Sequence, residues 1–219
     1  SHQVVPLDVE EVRNATAEST PQDCELIAGK RLIARVRREH PQMALIMIGD
    51  DLYSHVPFVE QLHALRQHYV LVAKPASHPT LMAAVAAAAG TEQSQTGQWT
   101  EGSGARQRTY TYRLVPQVPL SLESPVRVNY VEVWEHTTKD ALLYHNSWIT
   151  DLDVDAANVA GVVQIGRTRW KIENEQFNVH KNHGYELTHN YGHGQQHLSM
   201  VFYLLNLLAY VTHAVLALG

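Results

Sequence analysis

The clearest structural signal in the chain is the stretch Ala44-Leu45-Ile46-Met47-Ile48-Gly49-Asp50-Asp51. Its apolar run has the length of a strand and no polar alternation, which predicts a strand buried on both faces, as in the centre of an α/β sheet. Ligands of open α/β sheets bind at the carboxyl ends of strands, so Asp50 and Asp51 stand where a functional carboxylate is expected. Gly-Asp-Asp is equally good turn chemistry with no catalytic role, and both interpretations stay open at this point.

The segments on either side of this strand predict alternating helices and strands. A helix over residues 22–40 precedes the strand, begins after Thr20-Pro21 and ends before Pro41. The elements that follow are a helix over 57–68, a buried strand over 69–73 and an alanine-rich helix over 79–89. This order implies a sheet with parallel neighbours and right-handed crossovers. The first helix also carries a basic face, which we interpret as solvated rather than phosphate-binding: Lys30, Arg31, Arg35, Arg37 and Arg38.

The character of the sequence changes after Gly90. Residues 91–104 are polar and predict a loop, and strand-like stretches follow at 107–114, 126–134 and 142–149. Helical patterns return near Asp155, over 169–180 and over about 195–218, and a short strand is predicted at residues 2–7. The sequence therefore predicts an α/β fold in three parts: residues 1–90 as the first part of a core, 91–150 as a β-rich insertion, and 151–219 as the carboxyl-terminal helices of that core.

The composition predicts a globular protein. Apolar residues make up 45% and charged residues 18% of the 219 residues, which provides ample material for a core. The net charge of −5 argues mildly against a protein that simply coats nucleic acid, but it does not exclude an enzyme that concentrates cations in one groove. The single cysteine, Cys24, cannot form an internal disulfide, so a cytoplasmic location is expected and a thiolate zinc site is not.

The apolar run over residues 200–219 is about long enough to span a bilayer. Asn206, Thr212 and His213 interrupt it, and no cluster of basic residues flanks it. We therefore expect a buried terminal helix rather than a membrane anchor. The chain also opens without the pattern of a signal peptide, which agrees with the cytoplasmic expectation.

A second candidate site lies in the segment Arg169-Trp170-Lys171-Ile172-Glu173 and the residues after it. In a regular helix Arg169, Glu173, Gln176 and His180 would share one face, because residues three, four and seven apart line up. An Arg–Glu pair at this spacing is commonly only a surface ion pair, worth about 0.3–0.5 kcal/mol. The segment alone therefore leaves structural and catalytic interpretations open.

Taken together, the two segments resemble a known family. The stretch from Gly49 to Tyr53 after a strand, the β-rich insertion, and the residues 169–197, with Asn182-His183-Gly184-Tyr185 and His193-Gly194, look like bacterial insertion-sequence transposases of the DDE type. The resemblance implies an RNase H-like mixed sheet flanked by helices, in which three carboxylates hold Mg²⁺ or Mn²⁺. It further implies double-stranded transposon-end and target DNA as the partner, a homodimer, a bacterial cytoplasm and no membrane association.

The resemblance also implies roles for individual residues. Asp50 would be the second carboxylate, with Asp51 as the fallback, and Glu173 would be the third. The family's helix signature is tyrosine, two residues, arginine, three residues, glutamate, six residues and lysine. Arg169 and Glu173 fit this signature, whereas Gly166 stands at the tyrosine position and His180, followed by Lys181, at the lysine position.

Other positions carry supporting roles by the same resemblance. Arg169, His180 and Lys181 would contact DNA phosphates. An aromatic residue of the insertion holds a flipped base in related transposases, and Tyr144 and Trp148 on the last inserted strand are the candidates, with packing against the core as the alternative for both.

The first aspartate of the family has no clear counterpart in the chain. Only the strand predicted at residues 2–7 lies upstream of the first helix, and Asp8 follows it, whereas the family pattern places its aspartate further upstream. We therefore expect an amino-terminally truncated catalytic core that, as given, binds metal poorly and does not cleave DNA.

Two alternatives remain open. The chain could be a non-catalytic DNA- or protein-binding remnant of a transposase, which would bind DNA without metal-dependent nicking. It could instead be a histidine-rich metal-binding or membrane-tethered protein, because it has 14 histidines and His189, His193 and His197 have metal-ligand spacing. Gly192 and Gly194 argue against a regular helix through those three histidines.

Overall fold

The computed structural model describes residues 4–12, 23–188 and 197–217. Its helices are α1 (Glu25–Glu39), α2 (Val56–Ala64), α3 (Pro79–Ala88), α4 (Val159–Arg167), α5 (Asn178–Asn182) and α6 (Leu198–Leu216). Its strands are β1 (Ile46–Gly49), β2 (His68–Val72), β3 (Gln95–Glu101), β4 (Arg108–Pro119), β5 (Arg127–Thr137) and β6 (Leu142–Thr150). A π-helix, Ile172–Phe177, runs directly into α5.

The six strands form one mixed sheet in the order β1-β2-β6-β5-β4-β3, and helices flank it. The strands β1 and β2 are parallel, with Gly49 opposite Leu71. All other neighbouring pairs are antiparallel, beginning with Val72 of β2 opposite Trp148 of β6. The predicted α/β class is therefore confirmed, and the strands of the predicted insertion continue the same sheet as β1 and β2.

Three sequence predictions differ from the structure. The strand β3 lies in the segment predicted as a loop, and it pairs along its whole length with β4. Residues 4–7, the described part of the predicted first strand, are not in a strand. The strand β1 is partly exposed and lies at the end of the described sheet, so it is not buried on both faces as predicted.

One face of the sheet packs against α4. The core there contains Val159, Val162 and Val163 of the helix, together with Val70 and Trp148 of the sheet. Alternation along the strands explains the arrangement, because side chains two residues apart lie on the same face. The helix presents its apolar positions at a spacing of three and four, which is the spacing of one helical face.

The chain divides into two compact units, one of residues 42–169 and one made of the segments 1–41 and 170–219. The first contains the whole sheet with α2, α3 and α4. The described part of the second contains α1, the π-helix, α5 and α6. In this second unit, Tyr210 of α6 donates a hydrogen bond to the carbonyl oxygen of Val4 at 3.0 Å.

Helix α6 is long and apolar enough to cross a membrane, by length and composition alone. Its buried residues are Leu207 and Ala214, and much of its apolar surface is exposed, for example at Leu208 and Leu216. The buried terminal helix that the sequence predicted is therefore not what the structure shows. Core helices of soluble proteins meet the same two criteria of length and composition, so this observation does not assign α6 to a membrane.

Candidate active site

Asp50 is exposed at the carboxyl end of β1, directly after the parallel pairing with β2. Its Oδ1 accepts a hydrogen bond from the Leu52 amide at 3.0 Å and so caps the short 3₁₀ turn Asp51–Tyr53. Gly49 before it is buried, and a Cβ there would lie 2.9 Å from Cδ2 of Leu71. The absence of that Cβ lets the strand end close to β2 and present the next residue, Asp50, to solvent.

Asp51 is placed quite differently from its neighbour. Its Oδ1 accepts the Lys74 amide at 2.6 Å and its Oδ2 accepts the Ser77 hydroxyl at 2.6 Å. Burial disfavours the charged carboxylate, but these two hydrogen bonds outweigh burial and hold the pKa of Asp51 below its usual value. The geometry therefore gives Asp51 a fixed position between two loops, whereas Asp50 is the aspartate that faces solvent.

Glu173 is exposed on the π-helix Ile172–Phe177. A π-helix has i→i+5 hydrogen bonds and therefore a wider turn than an α-helix, and such segments are frequent at functional sites. The shared face predicted for Glu173 and His180 is not observed, because Glu173 is exposed and His180 is fully buried. On the same segment Lys171 forms an ion pair with Glu175 at 3.2 Å.

The two carboxylates implied by the resemblance belong to different compact units. Asp50 lies in the unit of residues 42–169, as does the half-buried Arg169, and Glu173 lies in the other unit. The carboxylates of Asp50 and Glu173 are both exposed, and carboxylate oxygens are the ligands that Mg²⁺ prefers. Taken separately, each side chain is therefore of a type that can bind that ion.

His180 and Lys181 are neighbours in different environments. The His180 imidazole is fully buried and packs edge-on against Tyr185 and Tyr210, with ring centroids 5.2 and 4.9 Å away. Neither of its ring nitrogens has a hydrogen-bond partner among the described residues, and burial lowers its pKa. Lys181 is exposed. Of the two, Lys181 is the one that can reach a phosphate without rearrangement of the helix.

Asp8 is paired with one residue of the basic face of α1, Arg35. Arg35 donates to Oδ2 of Asp8 from Nε at 2.7 Å and to Oδ1 from Nη2 at 3.0 Å. Glu10 bridges Arg31 and Arg35, and burial of its carboxylate is outweighed by these hydrogen bonds, which lower its pKa. Two of the arginines interpreted as solvated are thus held in an ion-pair network, and Arg35 occupies both oxygens of Asp8.

The two aromatic candidates for base stacking also differ in exposure. Trp148 is fully buried in the core against α4, in the packing position that was the alternative for it. Tyr144 is half-buried, and the guanidinium of Arg167 lies 4.4 Å from its ring centroid. Arg167 in turn donates to Oε2 of Glu135 at 2.7 Å. Tyr144 is therefore the aromatic candidate whose ring is partly accessible.

One cluster was missed by the sequence analysis. Asp51, His55 and His78 offer ligand atoms that all lie within 4.8 Å of one another. His55 precedes α2 and His78 precedes α3, each at the residue before the first turn of its helix. A weak sequence signal existed, because His78 stands directly before Pro79 and His55 two residues before Pro57, each proline lying in the first turn of a helix. Only the fold brings the two histidines to Asp51.

The structure describes only one of the three histidines that the sequence analysis named as possible metal ligands. His189 and His193 lie outside the described residues. His197 is described, and its Nδ1 lies 3.2 Å from Oε2 of Glu11. Their joint role in metal binding stays a prediction.

No protein-family model matches the chain, and no curated protein sequence matches it. The functional interpretation therefore rests on the residues and on their geometry.

Proposed function

We propose that this chain is part of the RNase H-like catalytic core of a DDE-type DNA transposase, which cleaves phosphodiester bonds and transfers strands at transposon ends. The observation that carries the proposal is the exposed carboxylate of Asp50 at the carboxyl end of β1, beside the parallel strand β2. This is the edge at which open α/β sheets bind their ligands. Glu173, exposed on a π-helix, supplies the second carboxylate that the proposal requires.

The chemistry explains why exposed carboxylates matter. In-line displacement at phosphorus builds negative charge on the attacking and leaving oxygens. Two Mg²⁺ ions, when bound, stabilise both oxygens and lower the pKa of an attacking water or 3′-hydroxyl. Asp50 and Glu173 each offer the hard oxygen ligands that such ions prefer.

The other residues contribute to DNA binding in this proposal. Lys181 is exposed and contacts a phosphate as a point charge. Tyr144, partly exposed, offers a ring on which an unpaired base can stack. The orientation of Tyr144 is supported by Arg167, whose guanidinium covers one side of the ring and is itself held by Glu135.

The proposal is tested by plasmid nicking in Mg²⁺ or Mn²⁺. Two forms of the protein are compared: the chain as given, and the chain extended by any residues that its gene encodes before Ser1. In whichever of these two forms nicks DNA, we expect the metal-dependent activity to fall on the order of 10²–10³-fold in Asp50→Asn and in Glu173→Gln, because each change removes a charge that holds the metal ions. Glu175→Gln is the matched control, since Glu175 lies on the same π-helix but forms an ion pair with Lys171. This control should keep its activity.

Two outcomes would overturn parts of the proposal. Loss of nicking in Asp51→Asn but not in Asp50→Asn would move the metal-binding role to Asp51. Absence of nicking in every form, with DNA binding that weakens with salt, would instead establish a DNA-binding protein without catalysis.

A further inference from the structure

We propose that Asp51, His55 and His78 form a binding site for one transition-metal ion of the zinc class, separate from the Mg²⁺-binding carboxylates of the proposed catalytic function. The three side chains come from three elements: the turn after β1, the start of α2 and the start of α3. Their ligand atoms lie within 4.8 Å of one another. Two imidazoles and one carboxylate are a ligand set that zinc takes in proteins.

The distances are close to those that such an ion requires. Zinc bonds of about 2.0–2.2 Å in a tetrahedral arrangement place neighbouring ligand atoms roughly 3.4 Å apart. Nε2 of His78 already lies 3.4 Å from Oδ1 of Asp51. The half-buried His55 is the ligand that would move inward, by a rotation of its own side chain.

The cluster is held in place before any metal binds. The rings of His55 and His78 are stacked, with centroids 4.7 Å apart and an interplanar angle of 22°. Asp51 accepts one hydrogen bond on each oxygen, from the Lys74 amide and the Ser77 hydroxyl. Each carboxylate oxygen has a second lone pair, so these donors orient Asp51 and still leave it able to bind a metal, as outer-sphere hydrogen bonds do in metal sites.

The hydrogen bonding of His78 determines what a metal must displace in order to bind. His78 is buried, and Ser54 lies 2.8 Å from its Nε2. Because the Ser54 hydroxyl donates its proton to the Asp51 carbonyl, its oxygen accepts from Nε2–H of His78. A metal that binds Nε2 requires this proton to move to Nδ1, which lowers the affinity of the site for the metal.

These features determine which ion we expect. Imidazole ligands select Zn²⁺, Co²⁺, Ni²⁺ or Cu²⁺ over Mg²⁺, and Mg²⁺ keeps to oxygen ligands. The helix dipoles and the displaced hydrogen bond oppose the cation, so we expect affinity on the order of micromolar rather than nanomolar. Three protein ligands leave the fourth position to water. The bound ion would tie the turn that carries Asp50 to the starts of α2 and α3.

The test is titration of the full chain with Co²⁺, followed by the visible absorption of four-coordinate cobalt, and competition with Zn²⁺. To remove a competing site, the titration is done in a background in which His189, His193 and His197 are glutamine. We expect one Co²⁺ per chain. Binding should weaken by at least about tenfold in His55→Gln and in Asp51→Asn, because each removes one ligand. Asn at position 51 keeps an acceptor for the Lys74 amide, so the fold is retained.

His68→Gln is the matched control, because His68 also contacts an aspartate of the same unit, Asp151, at 2.7 Å. It should bind Co²⁺ like the parent chain. A second measurement is the thermal midpoint, which Zn²⁺ should raise in the parent and in His68→Gln but not in His55→Gln. Absence of stoichiometric binding in the background chain, or equal binding by His55→Gln and the parent, would overturn the proposal. Neither measurement involves DNA cleavage, so the result is independent of the proposed catalytic function.

Discussion

Gly166 of α4 lies directly on the indole of Trp148, so closely that a Cβ at this glycine would stand 2.6 Å from Nε1 of the tryptophan. Trp148 is fully buried and cannot move aside as a surface side chain would. The proposed resemblance to transposases would place a tyrosine at position 166. That position is a contact between helix and sheet, where a tyrosine side chain would not fit.

Gly166→Ala is therefore expected to lower the free energy of unfolding by roughly 1–3 kcal/mol, the usual cost of overpacking a core. Gly161 is the matched control in the same helix, because a Cβ there meets nothing within 4 Å. Gly161→Ala should raise the free energy of unfolding by up to about 1 kcal/mol through helix propensity. Urea denaturation measures both. Equal effects of the two substitutions would show that Gly166 is not in contact with Trp148.

The ion pair between Arg167 and Glu135 provides a second prediction. Glu135 is buried, and Nη1 of Arg167 donates to its Oε2 at 2.7 Å, while Arg108 lies further away at 3.8 Å. Arg167→Ala removes the nearer of the two cations from this buried carboxylate. We expect the free energy of unfolding to fall by about 1–3 kcal/mol, toward the lower end because Arg167 is partly exposed to solvent. The double substitution Arg167→Ala with Glu135→Gln should cost less than the sum of the single changes. Additive effects in urea denaturation would contradict the pairing.

His180 gives a prediction about pH. Burial lowers its pKa from the ordinary value of 6.5, so the folded protein holds this imidazole neutral where the unfolded chain is protonated. As pH falls below 6.5, the unfolded state takes up a proton that the folded state does not, and stability falls. His180→Phe should remove this component of the pH dependence. It should also raise the free energy of unfolding at neutral pH by about 1–2 kcal/mol, because it removes two nitrogens that lack hydrogen-bond partners among the described residues.

The difference between wild type and His180→Phe isolates this effect, since the other histidines contribute equally to both. Urea denaturation at several pH values between 5 and 8 provides the measurement. A variant that is less stable at neutral pH, with an unchanged pH dependence, would show that the His180 nitrogens are hydrogen-bonded in solution.

Lys181 is expected to contribute to DNA binding, whereas His180 is not. Neutralising one phosphate contact reduces the slope of log K against log salt concentration by about 0.9. Lys181→Gln should show this reduction and weaken binding to all sequences alike, whereas His180→Phe should bind as the parent does. Lys139→Gln, at an exposed turn before β6, is the control for a simple change in net charge. An effect of equal size in both lysine variants would mean that Lys181 acts only through that net charge.

Local patterns predicted most of the helices and strands, because each depends on spacing within a short segment. The buried strand β2 and the helix α3 are examples in which apolar run, proline and glycine agree. The strand β3 could not be predicted, because its residues are mostly polar and its pairing with β4 is a tertiary contact. The edge position of β1 likewise depends on sheet order, which the sequence of β1 does not contain.

In the candidate site, too, the local features could be predicted from the sequence and the tertiary contacts could not. An aspartate after an apolar strand is a local signal, and it correctly placed Asp50 at the carboxyl end of β1, whereas the catalytic role of Asp50 stays a prediction. The assembly of Asp51 with His78 depends on the crossover through α2 and β2, which separates them by 27 positions along the chain and brings them within 3.4 Å. The burial of His180 was also not predictable, because its position was inferred from a regular helix, and the structure has a π-helix before it.

That π-helix changes how positions along the segment should be counted. In a regular α-helix two turns take about seven residues, so the seventh residue after Glu173 returns to the same side. Because a π-helical turn takes about one residue more, the eighth residue after Glu173 returns to that side instead. His180 is the seventh and is buried, and Lys181 is the eighth and is exposed like Glu173. The wider turn therefore brings Lys181, rather than His180, round to the side of the helix that carries Glu173.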